Sequence, residues 1–186
     1  FILSDRPPEK DVQWSDQGMM ASYRFVQKLW TLNSKILKKI ESSNDDDKKE
    51  NLTKFTNQLI YKVTQNLEKF HYNVIVANLY EMYNFLIKEI EKPIKKEVLI
   101  ENYKKILMLM NPFIPHFTCE CLSNLDQMQV NWPTVSKEQL IEEEINFVVQ
   151  INGKKRALLK VKRDINENEI LKEIKLNKEI KKLLEN

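Results

Sequence analysis

The chain contains only two glycines, Gly18 and Gly153, in 186 residues. A glycine-rich phosphate cradle or a dinucleotide-binding turn is thereby excluded, because each needs several closely spaced glycines for the backbone to approach a phosphate. Cysteine is equally scarce, with only Cys119 and Cys121. Two residues apart on a predicted helix, they point in different directions and read as a reduced pair, without the partners that a metal site would need. No apolar run is long enough to cross a bilayer, and no signal-peptide pattern is present. Paired carboxylates, a nucleophile–base set and metal-ligand spacing are also missing, which argues against a self-sufficient catalytic domain.

What is present suffices for one good core, or for a domain with a small appendage, since 42% of the residues are hydrophobic. The net charge of +3 is unevenly spread. From Val148 onward there are 11 Lys and Arg against 6 Asp and Glu, whereas the remainder has 19 against 21. The C-terminal part is therefore the first candidate for a polyanion partner. The chain opens on Phe1 and not on Met, and reads as a piece of a larger protein.

Pro7 and Pro8 fix an extended lead-in. Ser15 and Asp16 are good N-cap residues for a first helix from about Ser15 to Ser43. Met19, Tyr23, Val26, Trp30, Leu37 and Ile40 recur on it at helical spacing, predicting one buried face. Arg24 and Lys28, four residues apart, share another face. That pair is either a solvated surface or a phosphate-binding edge, and spacing leaves both open.

A polar loop at Ser42–Asp47 precedes a second helix from about Lys48 to Phe70. A turn at His71–Asn73 leads to a third helix bearing Ile75, Leu79, Met82, Leu86 and Ile90. Pro93 either ends that helix or opens the fourth, which Asn111-Pro112 breaks. A fifth runs from about Pro115 to Leu125. Short polar loops between amphipathic helices describe a mainly α fold, an antiparallel helical bundle. Met19, Met20, Met82, Met108, Met110, Phe55 and Phe85 read as core filling. The Asn111–His116 stretch reads as a stiff buried corner, with His116 a hydrogen-bonded structural histidine and not a catalytic or metal group. Ser136–Glu144 is acidic and reads as a linker or short helix. Then the pattern turns β-like at Phe147–Ile151, with Asn152-Gly153 as a type I′ hairpin turn and Lys154–Val161 as the return strand. A last helix follows from Asn166, where Glu169 suggests a capping box. This small α+β module opening with a β-hairpin is marginal without further strands.

Pro7–Asp11, Trp14–Asp16, Gly18, Arg24, Phe25 and Trp30 closely resemble the junction that follows the catalytic core in leucyl-tRNA synthetases of bacterial or organellar type. Ala21 stands where that family usually has a second glycine, and Lys28 where arginine is common. Pro112-Phe-Ile-Pro115-His116 with Glu120 and Leu122 resembles a corner shared by class I synthetases for leucine, valine and isoleucine, although Cys121 replaces an acidic residue. Trp132-Pro133 resembles the usual close of the bundle. Val149–Lys154 with Arg156 resembles the opening hairpin of the leucine enzyme's C-terminal domain, with Ala157 in place of glycine.

The resemblance implies a lead-in at 1–14 leaving the catalytic core, an anticodon-binding bundle at 15–135, a linker at 136–146, and a tRNA-elbow-binding module at 147–186. That module's closing strand is expected after the last helix, so the chain reads as truncated at Asn186. The parent would join leucine to its tRNA with ATP and Mg²⁺, while this part holds no cofactor and neither ATP-site motif. It is expected to be inactive alone, monomeric, off the membrane and cytoplasmic (organellar in a eukaryote). Its partners would be tRNA(Leu) and the upstream catalytic domain of the same polypeptide. Arg24, Lys28, Lys154, Lys155 and Arg156 are the expected RNA contacts. Trp14, Trp30, Pro112, Pro115, His116, Trp132, Asn152 and Gly153 are the expected structural markers. The rivals are a protein-interaction helical bundle with a solubilising basic tail, and a valine or isoleucine synthetase fragment, against which the hairpin phrase argues.

Overall fold

The computed structural model describes residues 1–43, 51–125, 131–136, 140, 144–151, 154–162 and 165–176. The chain forms two compact units, Phe1–Leu140 and Ile141–Asn186.

Unit 1 begins with a one-turn helix, α1 (Ile2–Asp5), within the stretch expected to be a plain lead-in. The long helix α2 (Asp16–Ser42) starts where Ser15 Oγ accepts the Gly18 N–H at 3.1 Å, the N-cap expected of that serine. Helices α3 (Asn51–Glu68), α4 (Tyr72–Glu89), α5 (Lys96–Met110) and α6 (Pro115–Ser123) follow. Pro115 stands in the first turn of α6, where its missing N–H costs nothing. Pro93 lies between α4 and α5, so it neither ends one nor opens the other. The α3–α4 turn closes tightly. Phe70 N–H donates to Leu67 O at 3.1 Å and His71 N–H to Asn66 O at 2.9 Å, with Phe70 at φ 57°.

The core of unit 1 collects Leu32 and Ile36 from α2, Leu52 and Ile60 from α3, Met82 and Leu86 from α4, and Ile106 and Leu107 from α5. Phe55 and Phe85 stack between α3 and α4 with centroids 3.9 Å apart. Several buried polar groups are paired, two of them across helices, while Asn78 Oδ1, Asn102 Oδ1 and Thr118 Oγ1 have no partner among the described residues. Tyr103 Oη donates to Asn33 Oδ1 at 2.8 Å, and Asn102 Nδ2 donates to Thr53 Oγ1 at 3.1 Å. The buried Glu89 carboxylate accepts from Lys92 Nζ at 2.6 Å. Such pairing is what lets polar groups sit in an apolar interior.

The buried face of α2 differs from the one its spacing predicts. Phe25, Leu29, Leu32, Ile36 and Ile40 are buried, whereas of the expected stripe only Ile40 is buried, Val26 and Leu37 are half-buried, and Met19, Tyr23 and Trp30 are exposed. At about 100° per residue, the two stripes lie roughly a quarter-turn apart, so the apolar arc of α2 is wider than the arc that the bundle covers. Met19 and Met20 are accordingly surface residues and not core filling. Met82 and Met110 are buried, and Met108, Phe55 and Phe85 pack against the core. The Asn111–His116 corner is half-buried at Phe113 and Ile114 and exposed at both Pro112 and Pro115.

Unit 2 pairs β1 (Glu144–Ile151) antiparallel with β2 (Lys154–Lys162), then runs into α7 (Glu167–Leu176). The strand starts three residues before the predicted one, with Glu144 opposite Lys162. Ile151 pairs with Lys154, and Asn152 and Gly153 lie outside the described residues. Asn166 Oδ1 accepts the Glu169 N–H at 3.0 Å, forming the first half of the expected capping box. Val149 and Ala157 make a small core with Phe147, Leu159 and Ile174, while Val148 and Leu158 face outward.

Candidate nucleic-acid interface

The start of α2 is a built corner. Trp14 Nε1 donates to Asp16 Oδ1 at 2.8 Å, and the Phe1 ring meets the Trp14 ring edge-on at 6.0 Å. Gly18 lets that ring approach, because a Cβ there would lie 2.4 Å from Phe1 Cε2. Ala21, where the resembled family has glycine, is exposed.

From this corner α2 carries three distinct faces. One is the buried face described above. The second is the exposed apolar stripe through Met19, Tyr23 and Trp30. Val26 of this stripe lines a cleft of about 330 Å³ with Phe1, Leu3, Leu79, Tyr80 and Ile114. The third is cationic: Arg24, Lys28, Lys35 and Lys38 are all exposed, and none takes part in an ion pair among the described residues. Their spacings of four, seven and three residues keep all four within one narrow sector of the helix, over ~21 Å of its length. Thr31, interleaved on that sector, is exposed and uncharged. Of these four, the sequence motif marks only Arg24 and Lys28. The signal for the remaining two was the same helical periodicity, continued past Trp30.

Trp30 packs edge-on against Phe117 with centroids 4.8 Å apart. Together with His116, Pro115 and Glu120 it lines a second cleft, of about 650 Å³. His116 is exposed and makes no hydrogen bond among the described residues, contrary to the hydrogen-bonded role expected of it. Its place at the first turn of α6 holds it at the surface. Trp132 donates from Nε1 to Thr64 Oγ1 at 3.0 Å, tying the end of unit 1 to α3.

In unit 2 the ladder shifts register between Val149, opposite Ala157, and Gln150, opposite Lys155. Arg156 is therefore an extra, unpaired residue on β2, and it is exposed. Such a bulge re-aims the side chain it carries. Lys154 and Lys155 stand opposite Ile151 and Gln150 in the ladder.

No three His, Cys, Asp or Glu side chains come together as a metal site among the described residues. Cys119 is exposed and Cys121 buried. Burial, with Glu120 beside it, pushes the Cys121 thiol up to about 12, even though its hydrogen bond with Tyr103 lowers it. No helix of the described residues is long and apolar enough to cross a membrane.

A family model described as the anticodon-binding domain of tRNA ligase matches residues 49–173. The leucine–tRNA ligase of Orientia tsutsugamushi (strain Boryong) is 37% identical over 190 residues, spanning 98% of this chain and 22% of that protein. The leucine–tRNA ligase of Geobacter sp. (strain M21) is 33% identical over 198 residues, spanning 100% of this chain and 24% of that protein. The chain thus spans about a quarter of the length of these relatives. Among solved structures, the Agrobacterium radiobacter K84 LeuRS–tRNA–LeuAMS ternary complex matches 99% of this chain and 25% of its own, with a TM-score of 0.82 at 24% identity. At that identity the likeness is one of fold.

Proposed function

Because this chain belongs to the family of tRNA-ligase anticodon-binding domains, we propose that it is the tRNA-docking region of a leucine–tRNA ligase. The leucylation itself, with its ATP and Mg²⁺, belongs on this reading to the rest of the polypeptide. Residues 1–14 lead in from the catalytic part, 15–135 form the docking bundle, 136–146 link, and 147–186 form a second tRNA contact. The chain alone is catalytically silent and works in the cytoplasm as part of a monomeric enzyme.

The observation that carries this reading is the cationic sector of α2. Four exposed cations in register on a rigid helix, free of ion pairs among the described residues, suit a row of phosphates. A solubilising face would do equally well with acidic residues interspersed, as on α5, where Lys105 pairs with Glu101 at 2.7 Å. The exposed Arg156, set off from the ladder by a bulge, supports a second contact together with Lys154 and Lys155. Contacts of this kind recognise phosphate and shape, so they position tRNA more than they read its sequence.

The test is a titration of the chain with leucine tRNA and a non-cognate tRNA at roughly 50 and 200 mM salt. Four phosphate contacts from α2 alone predict a slope of roughly −3 to −4 in log affinity against log salt, or roughly a 60- to 250-fold loss between those conditions. Similar affinities for both tRNAs are expected. Salt-insensitive behaviour, or no binding at low salt, would favour the protein-interaction bundle.

A further inference from the structure

We propose that the ring of Phe70, at the α3–α4 turn, is a stacking platform for one unpaired base of the docked RNA; this rests on the tRNA-docking reading above. Phe70 stands at φ 57°, in the left-handed region. It occupies the position just past a helix end where glycine is the usual residue, because any Cβ there costs roughly 1–2 kcal/mol. The two turn hydrogen bonds, Phe70 N–H to Leu67 O and His71 N–H to Asn66 O, impose that conformation whichever side chain is present.

Burial does not repay the strain. Phe70 is 60% exposed, and its ring contact is a single edge-on approach to Tyr72 at 6.0 Å. Tyr72 in turn meets Phe113 edge-on at 6.0 Å, so the ring is steadied from behind. An aromatic held outward at a backbone cost that packing leaves uncompensated marks a group kept for what it touches.

Its neighbours indicate the class of partner. Lys69 and His71 flank Phe70 in the sequence, both exposed, and Lys69 makes no ion pair among the described residues. A cation beside an exposed ring is the combination that holds unpaired nucleotides, with the cation on a phosphate and the ring on a base. Glu68, Lys69 and His71, next to it in the sequence, are exposed and polar, a setting that suits a nucleotide better than the apolar centre of a protein interface.

Three versions of the full 186-residue chain test this: wild type, Phe70→Gly and Phe70→Trp. Each is melted, then titrated with a leucine tRNA transcript and with a short blunt RNA duplex that has no unpaired base. Phe70→Gly should melt no lower than wild type, because glycine relieves the strain. It should bind the tRNA about 5- to 150-fold more weakly, the equivalent of one stacked base at ~1–3 kcal/mol. Its duplex affinity and salt slope should not change, since no phosphate contact is lost. Phe70→Trp should bind the tRNA at least as well as wild type. Unchanged tRNA affinity in Phe70→Gly overturns the proposal. So does a lowered melting midpoint with tRNA and duplex affinity falling together, which would make Phe70 a packing group. If the wild-type chain binds neither RNA, the docking reading fails, and this inference with it.

Discussion

Tyr103 and Cys121 share a corner of the core where each is held protonated. Burial, the neighbouring Cys121 and a hydrogen bond with it push the Tyr103 hydroxyl well above its ordinary value, while burial takes the Cys121 thiol up to about 12. An unfolded thiol ionises near 8.5. The folded chain therefore keeps its proton over a window where the unfolded chain has lost one. The stability this contributes is complete below about pH 8.5 and drains away as pH rises toward the folded value. Denaturation at pH 8 and at pH 10.5 should show the midpoint falling, and falling less in Cys121→Val, which has no thiol to ionise. Alkylation near neutral pH should modify the exposed Cys119 and spare Cys121 until the chain unfolds. Tyr103→Phe would strip Asn33 Oδ1 of its 2.8 Å donor inside the core. The expected cost is about 1–3 kcal/mol, read from urea denaturation at neutral pH.

At the scale of the element, α2 shows what patterning can and cannot tell. Its limits were legible, because Ser15 caps it and its periodicity runs unbroken to Ser42. Its inward face was not, because Met19, Tyr23, Val26 and Trp30 make as good a stripe as Phe25, Leu29, Leu32 and Ile36. Only the positions of α4 and α5 decide between two apolar stripes on one helix. The same limit hid the continuation of the basic sector to Lys35 and Lys38, residues that belong to no motif. The hairpin's two strands were legible from their β-branched, strand-like composition, and Ile151 pairs with Lys154 as a two-residue turn requires. The bulge at Arg156 and the early start of β1 at Glu144 were not, since both depend on the partner strand. Paired substitutions check the assignment of faces. Ile36→Ala should cost about 2–5 kcal/mol by opening a core cavity, whereas Tyr23→Ala should stay within ~0.5 kcal/mol. On the third face, Arg24→Glu with Lys28→Glu should leave the melting midpoint unchanged and lower the salt slope of tRNA binding by about 2. A drop in melting midpoint with an unchanged slope would assign the pair to folding.

For the whole molecule, the division at Leu140 sets two cores of very different size against each other. Among the described residues, unit 1 buries two dozen apolar side chains, including Ile36, Ile75, Leu99 and Ile106 at 0% exposure. Among the described residues, unit 2 buries Val149, Ala157 and Val161, with the half-buried Ile174 of α7 beside its two-stranded ladder. A hairpin with one helix is marginal by itself in water, so unit 1 should melt as it does without unit 2. Ending the chain after Leu140 should accordingly leave the main thermal transition within a few degrees of its position in the full chain. Backbone amides of β1 and β2 should exchange with solvent well before those of α3 and α5. The charge balance makes the truncation informative about binding as well. The stretch from Val148 carries 11 Lys and Arg against 6 Asp and Glu, yet the cations of α2 all lie in unit 1. If both units hold phosphates, the shortened chain should bind tRNA more weakly but keep a salt slope of roughly −3 to −4. A slope that vanishes with unit 2 would mean that the cationic sector of α2 is only a solvated face, and the docking role would pass to the hairpin alone.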